Sequence, residues 1–290
     1  MASIPGPVVH SLHHADTGTW THVVADPATG DAAIIDPVLD YEPKGARTGT
    51  ASAESVLALC AAEGLAVRWI LETHAHADHL SAAQWLKAQT GAPVCIGDGI
   101  RAVQAEFKPV YGLGDEFATD GSQFDRLLRD GECLPLGGMT LEAIATPGHT
   151  PDGMSYRVGD AVFVGDSLFL PDGGTARCDF PGGDAGTLYA SIQRLYALPD
   201  ATRVFVCHDY GPNGRPVQAQ STIGAQRAAN IHVRADTPAA DFAALRNARD
   251  ATLALPALIL PAVQVNIRAG HLPPPDGDGR RVLRLPLDTL

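Results

Sequence analysis

The chain has 290 residues, 45% of them hydrophobic, which suffices for one large α/β domain with a sizeable core or for two small ones. Its formal net charge of −12, with no basic run, argues against binding nucleic acid, whose phosphates such a surface repels. No stretch reaches the roughly 20 apolar residues of a membrane span, and the longest candidate, residues 253–265, is interrupted by Pro256 and Pro261.

His10, His13, His14 and Asp16 interrupt any apolar leader, so the chain reads as cytoplasmic, beginning with a mobile polar segment. Cys60, Cys95, Cys133, Cys178 and Cys207 are scattered and odd in number, which suggests no disulfide framework.

In chain order, residues 19–24 and 32–35 flank Asp26-Pro27-Ala28-Thr29-Gly30-Asp31, a turn-rich segment, and predict an opening hairpin. Val56, Leu57, Leu59 and Cys60 recur at helical spacing within 52–63, and Gly64 ends that helix. Residues 67–71 predict a buried strand, 81–88 the helix after it, and 92–96 another strand. Residues 97 to about 130 are glycine-rich with few periodic apolar positions, and read as an irregular insertion able to line a site. Further strands are predicted over 140–144, 155–158, 161–164, 204–207 and 282–287, with a helix over 188–198. This order suits two sheets packed face to face with helices outside. We read 1–290 as a single domain carrying the insertion and a C-terminal extension over about 240–290.

Between the third predicted strand and its helix lies Thr73-His74-Ala75-His76-Ala77-Asp78-His79, three imidazoles and a carboxylate in six residues. Neutral imidazole is the commonest side-chain metal ligand, and a nearby carboxylate adds a hard anionic oxygen. A strand-to-helix loop is also where open α/β sheets place ligands. A metal needs more donors than one loop supplies, and other donors stand at strand ends. His149 follows Pro147-Gly148, a pair that turns the chain; Asp166 follows Gly165; His208 leads His208-Asp209-Tyr210.

This order of motifs along nearly the whole chain resembles the metallo-β-lactamase superfamily, and so implies its αββα sandwich with ligand loops along one edge. In the superfamily's binuclear hydrolases all seven positions would bind metal, here His74, His76, Asp78, His79, His149, Asp166 and His208. The segments Glu72 to His79, Thr146-Pro147-Gly148-His149-Thr150-Pro151, Gly174-Thr175-Ala176-Arg177-Cys178-Asp179-Phe180 and Cys207-His208-Asp209-Tyr210 resemble more narrowly the persulfide dioxygenase family. Arg249-Asp250-Ala251-Thr252-Leu253 and Gln264-Val265-Asn266-Ile267-Arg268-Ala269-Gly270 resemble its bacterial branch, the β-lactamase-like hydrolases.

That resemblance implies one iron(II) per chain, held by His74, His149 and Asp166, with His76, Asp78, His79 and His208 around it or forming a vacant second site. It implies oxidation of glutathione persulfide, or a related low-molecular-weight persulfide, by dioxygen and water to sulfite and the thiol. Arg177 and Tyr210 then fall at catalytic or substrate-binding positions, with Arg268 as a further carboxylate contact; pairing of Arg177 with Asp179 is the plain structural alternative. The chain departs from the animal members at Asn230-Ile231-His232, where they carry Asn-Pro-Arg, and at Ala269, where they carry cysteine, which leaves the thiol carrier open. Cys178 and Cys207 read as buried, inert thiols. A homodimer is compatible with the family. A glyoxalase II-like binuclear thioester hydrolase is the alternative activity, and a noncatalytic sulfur-binding protein the third reading.

Overall fold

The computed structural model describes residues 6–289. One six-stranded sheet runs, in spatial order, Val8–His14, Thr19–Ala25, Asp31–Ile35, Ala66–Leu71, Val94–Gly97 and Arg126–Leu128. Its first three strands are antiparallel and the last four run parallel, Asp31–Ile35 belonging to both sets. The second sheet is Cys133–Leu136, Met139–Ala145, Met154–Val158, Ala161–Phe163, Arg203–Phe205 and Gln220–Thr222. Only the Ala161–Phe163 and Arg203–Phe205 pair is parallel there.

Alternation along the strands explains the layering. Ala33, Ile35, Leu71 and Cys95 from the first sheet meet Leu141, Ala143, Tyr156, Phe163 and Phe205 from the second, forming the core between the sheets. Their neighbours Ala32, Ile34, Ile70 and Ile96 point the other way, under helices that include Ile259–Asn266. Val162 and Val204 likewise face the helices Ala185–Tyr196 and Ala239–Asp250. A side-chain period of two thus gives each sheet two apolar faces, and helices cover the outer ones. The αββα sandwich expected from the motifs is the architecture observed.

Three expectations differ. Residues 97–130 hold a helix, Ile100–Val110, which buries Ile100, Val103 and Phe107 at the spacing of one helix face, and then the strand Arg126–Leu128. Val8–His14 is an edge strand paired with Thr19–Ala25, with the His13 ring 4.6 Å from that of Trp20, so the histidines there are not on a mobile segment. Residues 282–287 form no strand; a lone bridge, Pro275 to Arg281, ties that tail. Among the described residues, no helix is long and apolar enough to cross a membrane.

The sheets are joined at one end. Trp20 N donates to Cys207 O (2.7 Å), Asp209 N to Gly18 O (3.1 Å), and Met154 N to Thr73 O (2.8 Å). The loops carrying the candidate ligands all leave strands at this end.

Candidate metal centre

The loop after Ala66–Leu71 is held by three side chains that bond its backbone. Asp36, at φ +51°, accepts Thr73 N (2.7 Å) and Thr73 Oγ1 (2.9 Å), while Asp152 Oδ2 accepts Ala75 N (2.8 Å). Asn266 Nδ2 donates to His76 O (2.7 Å) and His79 O (2.8 Å), and its Oδ1 accepts Ser81 N (2.9 Å). These bonds satisfy buried backbone groups that no helix or strand pairs, and they fix where the imidazoles point. On the facing loop, Gly148 (φ +131°) lets the backbone pass Ala185–Tyr196; a Cβ there would lie 2.2 Å from Leu188 N.

The ligating atoms of His74, His149 and Asp166 lie within 4.8 Å of one another. Asp166 Oδ2 is 3.9 Å from His74 Nε2 and 3.6 Å from His149 Nε2. The far nitrogens are occupied: His74 Nδ1 by Thr73 Oγ1 (3.1 Å) and His149 Nδ1 by Arg177 O (2.6 Å). Such partners set ring orientation and leave Nε2 as the donor toward a metal. Beyond Asp166, His208 Nε2 lies 3.4 Å from Asp166 Oδ1 and 3.1 Å from Asp78 Oδ2. His208 Nδ1 meets Thr19 Oγ1 (3.3 Å), and His79 Nδ1 meets Leu80 O (3.2 Å). His76 belongs to two groups: its ligating atom lies within 4.8 Å of those of His79, Cys207 and His208, and its Nε2 is also 3.0 Å from Asp36 Oδ1, among the buried acids Asp36 and Glu72.

Burial and the neighbouring imidazoles drive the pKa of His74 well below its usual value, and burial with His79 does the same to His76. Both rings are therefore neutral, the form that binds metal. Burial raises the Asp166 pKa against the pull of His208 and His149. At Asp78 burial is outweighed by His208, His79 and His76, and its pKa falls; at His208 burial is outweighed by Asp166 and Asp78, and its pKa rises. His79 Nε2, His208 Nε2, Asp78 Oδ2 and Asp166 Oδ1 are buried without a hydrogen-bond partner. So many unbonded donor atoms converging on one spot fit a cation. The site opens on a cavity of about 600 Å³.

The metallo-β-lactamase superfamily pattern matches residues 15–208, two thirds of this sandwich with its ligand loops. The chain belongs to the metallo-β-lactamase superfamily. A probable metallo-hydrolase of Burkholderia pseudomallei is 52% identical over 94% of this chain and 97% of its own length. A protein named glyoxylase B2, from Dictyostelium discoideum, is 45% identical over 95% of each chain. The human mitochondrial persulfide dioxygenase ETHE1 is 29% identical over 66% of this chain and 64% of its own length. The crystal structure of ETHE1 from Myxococcus xanthus superposes with a TM-score of 0.71 and 30% identity, covering 91% of this chain and 100% of that one. This superfamily member is an enzyme with a metal-binding fold.

Its second ligand-bearing wall is the loop 173–180, pinned on both sides of Arg177 by helix Ala239–Asp250. Asp250 Oδ2 accepts Cys178 N (2.8 Å), and Arg246 Nη1 donates to Thr175 O (3.0 Å). Arg246 and Asp250 pair with each other at 1% and 3% exposure. His232 Nδ1 accepts Thr175 N (2.9 Å), and a Cβ on Gly174 would fall 2.1 Å from it. The Arg177 carbonyl that orients His149 is thereby fixed from a helix far along the chain.

The Arg177 guanidinium itself donates to Asp179 (2.5 and 2.7 Å) and to Ala254 O (2.6 Å), which is the structural pairing. It lines the metal cavity while so engaged. Arg249, exposed at the same cavity, makes no side-chain hydrogen bond or ion pair among the described residues. Tyr210, largely exposed at the rim, stacks on His208 with ring centroids 6.0 Å apart. Arg268 is not brought to the metal: it stacks on Phe117 at 4.5 Å and lines a different cavity. None of residues 97–130 lines the metal cavity either.

Asn266, Arg246 and Asp250 carry no expectation as site residues in the sequence reading. A lone Asn in the apolar run 262–267 was the available signal, since a buried amide demands partners. Arg246 and Asp250 look like an ordinary i,i+4 surface pair and offered none.

Proposed function

We propose that this enzyme is a persulfide dioxygenase, oxidising glutathione persulfide or a related small persulfide with dioxygen and water to sulfite and the thiol. The observation that carries the reading is the cluster of His74, His149 and Asp166, two imidazoles and a carboxylate whose ligating atoms lie within 4.8 Å of one another. Two imidazoles and one carboxylate are the ligand set of mononuclear iron(II) oxygenases, and this donor set fits one. One iron(II) per chain, held there, would supply the redox chemistry that side chains lack. Likeness to proteins named persulfide dioxygenase supports the same activity.

The chain's own residues then bind and orient. The Arg177 carbonyl keeps a proton on His149 Nδ1, and the tethered Arg177 side chain closes the cavity beside Phe180. The Tyr210 hydroxyl is a donor for the substrate sulfur. Arg249, free of acidic partners, suits a carboxylate of the thiol carrier better than Arg177 or Arg268 does.

A binuclear thioester hydrolase is the second reading, favoured by the unbonded atoms of Asp78, His79 and His208 and by the relative named glyoxylase B2. Metal analysis of anaerobically purified protein, with oxygen uptake on adding glutathione persulfide, separates the two. One iron per chain and one dioxygen per persulfide is the expected outcome, lost together in Asp166→Ala. Two metals per chain and oxygen-independent thioester cleavage would overturn it.

A further inference from the structure

The Arg268 side chain belongs to no part of the metal centre, although Asn266 of the same motif clamps the ligand loop. It faces a separate cavity of about 610 Å³, between residues 113–123 and the C-terminal tail, which shares no lining residue with the metal cavity. We propose that this cavity is a second binding site, in which Arg268 and Arg284 hold the carboxylate or oxyanion group of a small organic anion.

The Arg268 guanidinium is half-buried against Phe117 and makes no side-chain hydrogen bond or ion pair among the described residues; its Nη1 is fully buried and unbonded. Arg284 reaches the same cavity, anchored through Nη1 to Tyr111 O (2.9 Å) and to Gly112 O, while its Nε and Nη2 stay unbonded. The acids that line the cavity are committed elsewhere. Glu116 accepts Gly114 N (3.1 Å), and Asp276 accepts Asp278 N (3.0 Å) and Arg280 N (2.9 Å). Arg280 pairs with Asp278 (2.6 Å).

A cation held out of water without a counter-charge is costly, and a second cation beside it adds repulsion. Burial and the Arg284 charge accordingly lower the Arg268 pKa, against a smaller opposing pull from Glu116. In a chain of net charge −12, two guanidiniums in one cavity with no direct hydrogen bond or ion pair to an acid among the described residues run against the composition. An anion relieves both costs at once, and a planar guanidinium matches a carboxylate or oxyanion through two parallel hydrogen bonds. The cavity is of metabolite size rather than ion size. Phe117, Leu113 and Leu272 offer the remainder of the ligand an apolar wall.

Isothermal titration calorimetry of the metal-loaded full chain at low salt, with inorganic phosphate and with benzoate as probes, tests this. Saturable binding of either probe is expected, weakened about tenfold or more in Arg268→Gln and unchanged in Arg68→Gln, an exposed arginine that lines neither cavity. Benzoate binding alone assigns an organic carboxylate, and phosphate binding alone an oxyanion. No saturable binding of either probe, or equal binding by Arg268→Gln, which would put the anion at the metal, overturns the proposal. Should that variant not fold, phenylglyoxal modification of the wild type, read by peptide mass spectrometry, replaces it. The bound probe should protect Arg268 and Arg284, and lack of protection counts against the site.

Discussion

Two loops face each other across the metal centre, and the C-terminal helices hold them by different chemistry. The loop bearing His74 to His79 is clamped by a neutral amide, Asn266, while the loop bearing Arg177 is clamped by a buried ion pair, Arg246 with Asp250. A neutral clamp adds no charge beside the four ligand candidates of its loop. An ion pair can be tolerated on the other side, where a single backbone carbonyl touches a ligand ring. Neutral and charged clamps should therefore fail differently.

Breaking the ion pair is the harsher test, because a buried charge loses its partner. Asp250→Ala should cost about 3–5 kcal/mol in urea unfolding and lower metal content through the loosened Arg177 carbonyl. Stability equal to wild type would show that the pair is not buried as described. Asn266→Ala leaves two carbonyls and one N–H of the ligand loop unpaired, for an expected loss of about 2–3 kcal/mol. Its effect on metal affinity should exceed that of Asp250→Ala when each is scaled by its stability loss, and the reverse ranking would invert the comparison.

Of these two helix-borne clamps, acid should reach the charged one and not the Asn266 amide. Burial, then Arg246 and Arg249, lower the His232 pKa to about 4, from an ordinary value of 6.5. The unfolded chain takes up the proton first, so this stability is complete above about pH 6.5 and drains away as pH falls toward 4. After allowance for solvent screening the loss is about 1–2 kcal/mol. Urea midpoints measured across that window should slope less steeply in His232→Asn, whereas Asn266→Ala should keep the wild-type slope. The mildest change, Arg246→Lys, keeps the charge opposite Asp250 but not the forked geometry, and should cost about 1 kcal/mol by the same assay.

How far the sequence foretells this follows from distance along the chain. The strands, and the ligand candidates at their ends, are local patterns: apolar alternation stops, a Gly or Pro turns, and a His or Asp follows. Residues 73–79, 149, 166 and 208 were legible for that reason, and so was the sandwich. The helix Ile100–Val110 was not read, because five glycines spread over 97–121 mask its face of Ile100, Val103 and Phe107. The clamps were not legible. Asn266 acts 187 and 190 residues away from its carbonyl partners, and Asp250 acts 72 residues from Cys178. Arg268, two residues after Asn266 in the same motif, shows the converse: proximity in sequence to a clamp does not bring a side chain to the metal.

Four of the five cysteines are buried and form no disulfide. Burial raises the Cys60 thiol, lifts Cys95 and Cys178 to about 12, and takes Cys207, beside the His208 loop, well above its usual value. Sulfane sulfur passes between molecules by thiolate attack, and a thiol with pKa near 12 is only about one part in 10⁵ ionised at neutral pH. With persulfides as the proposed substrate, these buried thiols would be insulated from the cargo: sulfur entering the cavity would meet imidazole and carboxylate rather than a competing thiolate, and the polypeptide would be spared becoming a sulfur acceptor at these four positions.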